Sequence, residues 1–293
     1  MSATTQATTR PRVVGFGDNV VDRFLDRRIL YPGGNSVNFA VYAGQLGAEA
    51  AYLGVFGTDE AAAHLRESLT GLGIALDRCQ DKPGETGYCD VTVVDGDRVF
   101  GDWNEGGITT ADPFRLAPED VAYLGGFDLV HSGVYGGVAD QLGLLRATPA
   151  LVFFDFSDED EFRTPAYLDA VCPAVDLALL SCEHLSLDDT IALAQDVRRR
   201  GPGLVLATRG MHGSVLVDGR GVLHGTATPV EALDTMGCGD AFSTAFAVHC
   251  LRSGWRRDAL PSVDDLQEAL AVAADFAAKQ CLVEGAFGHG KEF

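Results

Sequence analysis

The chain has 293 residues, 46% hydrophobic and 22% charged, which excludes a disordered or collagen-like chain and allows one large domain or two small ones. Forty-two acidic against 22 basic residues give a net charge of -20, which repels phosphate backbones and anionic lipid head groups. Nucleic acid and membrane are therefore not expected partners.

Residues 1–12 are Thr-rich without an apolar centre and read as a disordered leader, neither signal peptide nor span. From there β-rich runs and helix-period stretches alternate. Val13 to Phe16 precedes a helix over Val37 to Leu46, and Ala51 to Phe56 precedes one over Glu60 to Leu72. Thr58 is the expected cap of the latter, with Gly71 and Gly73 closing it. Strands follow at Leu129 to His131, Leu151 to Phe154, Leu177 to Leu180 and Leu204 to Thr208, with helices over Val138 to Ala147 and Leu187 to Arg199. The alternation predicts βαβ units, a mainly parallel sheet and helices on both faces. Tyr88 to Val94 and Arg98 to Trp103, around Asp95-Gly96, read as a β-hairpin. With the long segment Val20 to Leu30 it can form a small separate sheet, a lid over residues of about 18–32 and 86–104. A second hairpin pairs Ser214 to Val217 with Gly221 to His224. No linker or repeat is visible, so residues 13–293 read as one domain. The seven cysteines form no Cys-x-x-Cys pair and are expected to be reduced, mostly buried thiols in a cytoplasmic protein.

The sharpest motif is Asp234-Thr235-Met236-Gly237-Cys238-Gly239-Asp240, which runs into a small, apolar helical stretch. Backbone N–H groups at such a helix start have no intrahelical partner and can stabilise a phosphoryl charge. Asp240 can then take the proton of an attacking hydroxyl, or merely complement the helix dipole. Pro32-Gly33-Gly34-Asn35-Ser36-Val37-Asn38 also opens a helix and offers two amide side chains to a polyhydroxylated ligand. Asn35 as a simple cap is the competing reading. Asp22 can bind vicinal hydroxyls or serve only as a turn residue, and the glycines of Thr208-Arg209-Gly210-Met211-His212-Gly213 can lie under a nucleotide or shape a tight turn. No Gly-x-Gly-x-x-Gly opens the first strand–helix turn, which argues against a dinucleotide-dependent oxidoreductase.

In order and spacing, these motifs over residues 13 to 287 resemble the ribokinase-like (PfkB) family of sugar and nucleoside kinases. Within it, Gly17 to Asp22, Gly33 to Tyr42, Arg98 to Gly106 and Asp155 to Asp158 look like fructoselysine 6-kinases. The resemblance implies a three-layer α/β/α sandwich with a β-sheet lid, ATP, Mg2+, and transfer of a γ-phosphoryl group to a primary sugar hydroxyl, the 6-hydroxyl of a fructosamine. It further implies Asp240 as base, with Gly237, Cys238 and Gly239 as anion hole. Asp22, Gly33, Gly34, Asn35 and Asn38 would hold the sugar, and Thr208, Gly210, Gly213, Asp234 and Thr235 the nucleotide. Cys238 stands where the family usually has Ala. The family's metal-organising Asn-x-x-Glu is unmatched at Ser181 to His184, which leaves Glu183 as the candidate metal residue. Alternatives within this frame are another sugar or nucleoside as acceptor and a non-catalytic sugar-binding regulator. A homodimer through exposed lid strands is a further expectation.

Overall fold

The computed structural model describes residues 10–94 and 97–293. In chain order its elements are β1 (Arg12–Gly17), β2 (Val20–Phe24), β3 (Ile29–Gly33), α1 (Asn35–Gln45), β4 (Glu49–Phe56), α2 (Glu60–Gly71) and β5 (Gln80–Asp81). Then come β6 (Gly87–Val94), β7 (Asp97–Trp103), α3 (Ile108–Ala111), α4 (Pro118–Leu124), β8 (Leu129–Gly133), β9 (Leu151–Asp155), α5 (Pro165–Val171) and β10 (Leu177–Ser181). The chain continues through α6 (Leu187–Arg199), β11 (Leu204–Thr208), β12 (Ser214–Val217), β13 (Val222–Gly225), α7 (Cys238–Arg252), α8 (Val263–Gln280) and β14 (Lys291–Glu292).

The large sheet runs β13-β12-β11-β10-β9-β8-β1-β4-β5, parallel except for the antiparallel pairs at β12 and β13. Because strand side chains alternate, its central strands are apolar on both faces. Val13, Leu129, Leu151, Phe153, Leu177 and Leu204 pack in one cluster with residues of α1, α2, α7 and α8. Their neighbours Val14, Val130, Val152, Phe154, Ala178 and Val205 pack in a second cluster with α4, α5 and α6. The result is the three-layer α/β/α sandwich that the alternation predicts. A second sheet, β14-β3-β2-β6-β7, stands apart from the first and contains the two expected lid segments.

Several details differ from the sequence reading. Strand β1 begins at Arg12, inside the expected leader, because Arg12 N–H donates to Asp128 Oδ2 at 2.8 Å. The cap of α2 is Asp59, not Thr58: its carboxylate accepts the Ala62 N–H at 2.9 Å. Ala139–Ala147 is a 3-10 helix rather than an α-helix. Its buried Leu142 and Leu145 lie three apart, the 3-10 repeat, and Gly143 between them weakens an α-helix. The expected Asp95-Gly96 turn lies outside the described residues. Strand β14 and the long helix α8 were not anticipated, although Ser262 and Asp265 form a capping box at the start of α8.

Candidate active site

The site gathers at the carboxyl ends of the parallel strands, where open α/β sheets bind ligands. Just beyond β1, buried Asp18 accepts from Ser36 N–H at 3.1 Å and Ser36 Oγ at 2.6 Å, pinning the start of α1. The turn between β3 and α1 needs its glycines. At Gly34, φ is 105° and a Cβ would come within 2.9 Å of Asp18 Oδ2; a Cβ on Gly33 would meet Asp22 Oδ2 at 2.8 Å. Asp22, on β2, is buried beside this turn. Asn35 donates to Asp155 Oδ2 at 2.8 Å, at the end of β9.

From the other end of the chain, α7 begins at Cys238 after Gly237, which is left-handed at φ 68°. Ala241 N–H closes the first helical bond, to the Gly237 carbonyl at 2.8 Å, so the N–H groups of Gly239 and Asp240 precede the helical ladder. Cys238 N–H instead donates to the Thr235 carbonyl at 3.2 Å. Of the expected anion hole, Gly239 is therefore the better placed donor and Cys238 helps shape the turn. Across 202 residues, Asn38 Nδ2 donates to Asp240 Oδ2 at 2.7 Å, so the diglycine turn and the last glycine motif share one site.

The electrostatics are dominated by acid. Burial pushes the Asp240 carboxyl well above the usual carboxylate range and the nearby Asp155 charge adds to this, while the Asn38 hydrogen bond opposes it. Burial lifts Asp155 to about 6, against hydrogen bonds from Ser157 N–H and Asn35. Asp18 is raised by burial too. Asp155 was not singled out as a site residue, since a carboxylate ending a strand looks like an ordinary turn residue; its motif entered only through the resemblance. Ser157, two residues on, is a non-glycine residue at φ 54° and shares a 2.8 Å hydrogen bond with the Tyr135 hydroxyl. His131 belongs to the core: stacked on Phe39 at 4.5 Å, it is held neutral by burial, with a pKa of about 3.

Next to Gly239 lies a cavity of about 340 Å³, lined among others by Glu183, Thr208, Gly210, Gly213, Thr235 and Cys238. Alanines 274, 277 and 278 of α8 form another of its walls, which the sequence reading missed. Gly210 is left-handed at φ 54°, and a Cβ there would collide with the Glu183 carboxylate. Asp234 is placed differently from the expectation. It is buried and does not line this cavity; its carboxylate accepts Met236 N–H at 2.9 Å and Gly285 N–H at 3.0 Å, which braces the turn from behind. Cys238 and Cys281 are joined as a disulfide, correcting the expectation that the thiols are all reduced; Cys79, Cys89, Cys172, Cys182 and Cys250 are free. A larger concavity of about 570 Å³ lies on the flank, between the Ala139–Ala147 helix and α5, and none of the residues placed in the site lines it. Among the described residues, no group of three His, Cys, Asp or Glu side chains is placed to hold a metal, and no helix is long and apolar enough to cross a membrane.

The mostly parallel sheet between helical layers, with its separate smaller sheet, is shared with solved ribokinase structures, which shows a ribokinase-like fold. The structure aligns with Arabidopsis thaliana ribokinase complexed with ribose and ATP at a TM-score of 0.78 and 20% identity, covering 94% of each chain. It aligns with a Xylella fastidiosa fructokinase with bound ATP at 0.77 and 19%, covering 96% of this chain and 95% of that one. The model of the pfkB family carbohydrate kinases matches residues 25–288, and the chain belongs to that family. It is 37% identical to fructosamine kinase FrlD of Bacillus subtilis over 95% of this chain and 94% of the relative. To fructoselysine 6-kinase of Escherichia coli it is 34% identical, over 92% and 97%.

Proposed function

We propose that this chain is an ATP-dependent kinase that phosphorylates the 6-hydroxyl of a fructosamine, fructoselysine or a close relative. The observation that supports this reading is the Asn38–Asp240 hydrogen bond, which joins the helix opened by the diglycine turn to the first turn of α7, whose Gly239 lines the glycine-walled cavity. The sugar would lie against Gly33, Gly34, Asn35 and Asp22. Asn38 Oδ1 is buried without a hydrogen-bond partner. Thr208, Gly210, Gly213 and Thr235 would line the nucleotide site, with Asp234 as its brace.

In the transfer step the 6-hydroxyl oxygen attacks the γ-phosphorus, the bond to the β-phosphate oxygen breaks, and Asp240 takes the hydroxyl proton. The N–H groups ahead of the α7 ladder and the helix dipole stabilise the charge that develops on the phosphoryl oxygens. Mg2+ suits the nucleotide cavity, whose lining carries one carboxylate, since it is commonly held by substrate phosphates, water and one or two acids. Glu183, on the cavity wall, is the candidate acid.

The acid-rich pocket favours a cationic acceptor. The carboxyls of Asp18, Asp22 and Asp155 all raise that of Asp240, and a protonated secondary amine, which a fructosamine has and free fructose lacks, would relieve that repulsion. The 37% and 34% identical relatives support the same acceptor class.

The reading treats residues 13–293 as one kinase domain of the cytoplasm, with the small sheet as lid. It includes a homodimer through that sheet, whose edge strand β7 leaves Phe100 60% and Trp103 53% exposed. Sedimentation at micromolar concentration tests the dimer. The acceptor is tested by steady-state turnover of fructoselysine, fructose, ribose and adenosine with ATP and Mg2+. We expect the highest kcat/KM for fructoselysine. A preference for ribose or adenosine would overturn the acceptor, and nucleotide binding without turnover of any sugar would favour a regulatory sugar-binding protein.

A further inference from the structure

We propose that Cys238 and Cys281 are a reversible covalent modification site in the wall of the nucleotide cavity, where disulfide closure fixes the turn that faces the phosphates. This rests on the reading of the cavity as a nucleotide site, and is independent of which sugar is phosphorylated.

Both cysteines line the cavity. Cys238 is the first residue of α7, one position before Gly239, and Cys281 caps the end of α8. Their Cα atoms are 6.1 Å apart, within the span of a disulfide, although 43 positions separate them in sequence. The Cys281 carbonyl also accepts the N–H groups of Leu233 at 2.8 Å and Asp234 at 3.1 Å. The sulfur bridge therefore ties together, at the cavity wall, two segments already joined by hydrogen bonds behind it. Cys238 is half-buried and faces the cavity, whereas Cys281 is buried, so an incoming thiol reaches Cys238 first. The free cysteines are poor competitors. Cys172, Cys182 and Cys250 are buried, and burial pushes the thiols of Cys79 and Cys89 up to about 12 and about 11, far from the thiolate form.

Reduction proceeds by exchange with a small-molecule thiol. Its thiolate attacks Cys238 Sγ, the bridge breaks, and Cys281 leaves as a thiolate that takes a proton. A second thiol molecule then displaces Cys238 from the mixed disulfide, releasing a small-molecule disulfide and leaving two protein thiols. Oxidation is the reverse exchange with a small-molecule disulfide. The hydrogen bonds to the Cys281 carbonyl and to Asp234 survive reduction, so the turn loosens without leaving its place. The expected effect is a loss of pre-organisation, a roughly three- to tenfold weaker nucleotide affinity.

The test is calorimetric titration of the untagged full chain with a non-hydrolysable ATP analogue, without sugar, before and after dithiothreitol. Intact mass should rise by two hydrogens on reduction, and Kd should rise with it. The Cys281→Ser variant should bind like the reduced chain with or without dithiothreitol, and the analogue should slow reduction of the parent. Two free thiols after incubation with oxidised glutathione would overturn the proposal. Equal affinities of the oxidised and reduced parent, a comparison that needs no variant, would overturn it too. Absence of nucleotide binding in both forms would instead remove the nucleotide reading of the cavity, and the proposal with it.

Discussion

Replacing Asn38 with Leu separates two jobs that this side chain could hold. Leu is similar in size, and the position is 5% exposed, so packing is largely kept. The substitution removes an Oδ1 that has no partner, at no cost, but also the 2.7 Å donor to Asp240, whose loss leaves a carboxylate oxygen unsatisfied and costs roughly 1–3 kcal/mol of stability. A hydrogen bond to a charged group contributes roughly 1.5–3 kcal/mol, and about 1.36 kcal/mol corresponds to one pKa unit. Because this bond favours the ionised carboxylate, its loss raises the Asp240 pKa further. Proton acceptance needs the ionised form, so the acid limb of log(kcat/KM) against pH should move to higher pH. A fixed pH on the limb would then show a rate about ten- to a hundredfold lower. The assay is ADP release from pH 5 to 9 at saturating ATP. A lowered plateau with an unmoved limb would refute the reasoning, leaving Asn38 as a sugar contact alone.

Asp240→Asn should cost about two to four orders of magnitude in kcat, with nucleotide affinity within about twofold by calorimetry; a loss under about tenfold would exclude Asp240 as the base. Asp155 holds its proton more tightly in the folded than in the unfolded chain, so its contribution to stability falls as pH rises from about 4 to about 6, by up to about 3 kcal/mol. Urea unfolding of Asp155→Asn should accordingly show a stability change relative to the parent that is more favourable at pH 8 than at pH 4, and equal differences at the two pH values would contradict the raised pKa. Gly237→Ala places a Cβ 2.7 Å from the Tyr42 hydroxyl and 2.8 Å from the Ala286 Cβ at φ 68°. It should lower the unfolding midpoint and raise KM for ATP, by about 1–3 kcal/mol in stability; parent-like values of both would show that the turn relaxes freely.

Where local chemistry governs, the fold was open to sequence reading. The bounds of α6 and β11 match the expected ones, because an amphipathic helix with a Ser cap and a buried strand each announce themselves within a dozen residues. The convergence of Gly33, Gly34 and Asn38 with Gly237 and Asp240 could be anticipated only from the order of the motifs, since no local rule joins residues 202 apart. Three features escaped for related reasons. Asp155 becomes chemically unusual only through burial among other carboxylates, and the alanines of α8 become a cavity wall only when α8 packs beside α7. The pairing of Cys238 with Cys281 likewise depends on where two helix ends meet, for which spacing carries no signal.

Two of the crossings between the sheets are tightly held. At the first, Asn19 Nδ2 donates to the Tyr52 hydroxyl at 2.8 Å and the Val55 carbonyl at 2.7 Å, while Asp18 grips Ser36. At the second, the Asp59 carboxylate that caps α2 also accepts Thr86 N–H at 2.8 Å and Thr86 Oγ at 2.5 Å. Asn104 then bonds Tyr88 N–H at 2.8 Å and the Thr86 carbonyl at 2.9 Å. These hydrogen bonds anchor the first strands of the small sheet, β2 and β6, to the ends of β1 and β4 and to the start of α2, so the smaller sheet is moored to the larger one by side chains as well as by the chain itself.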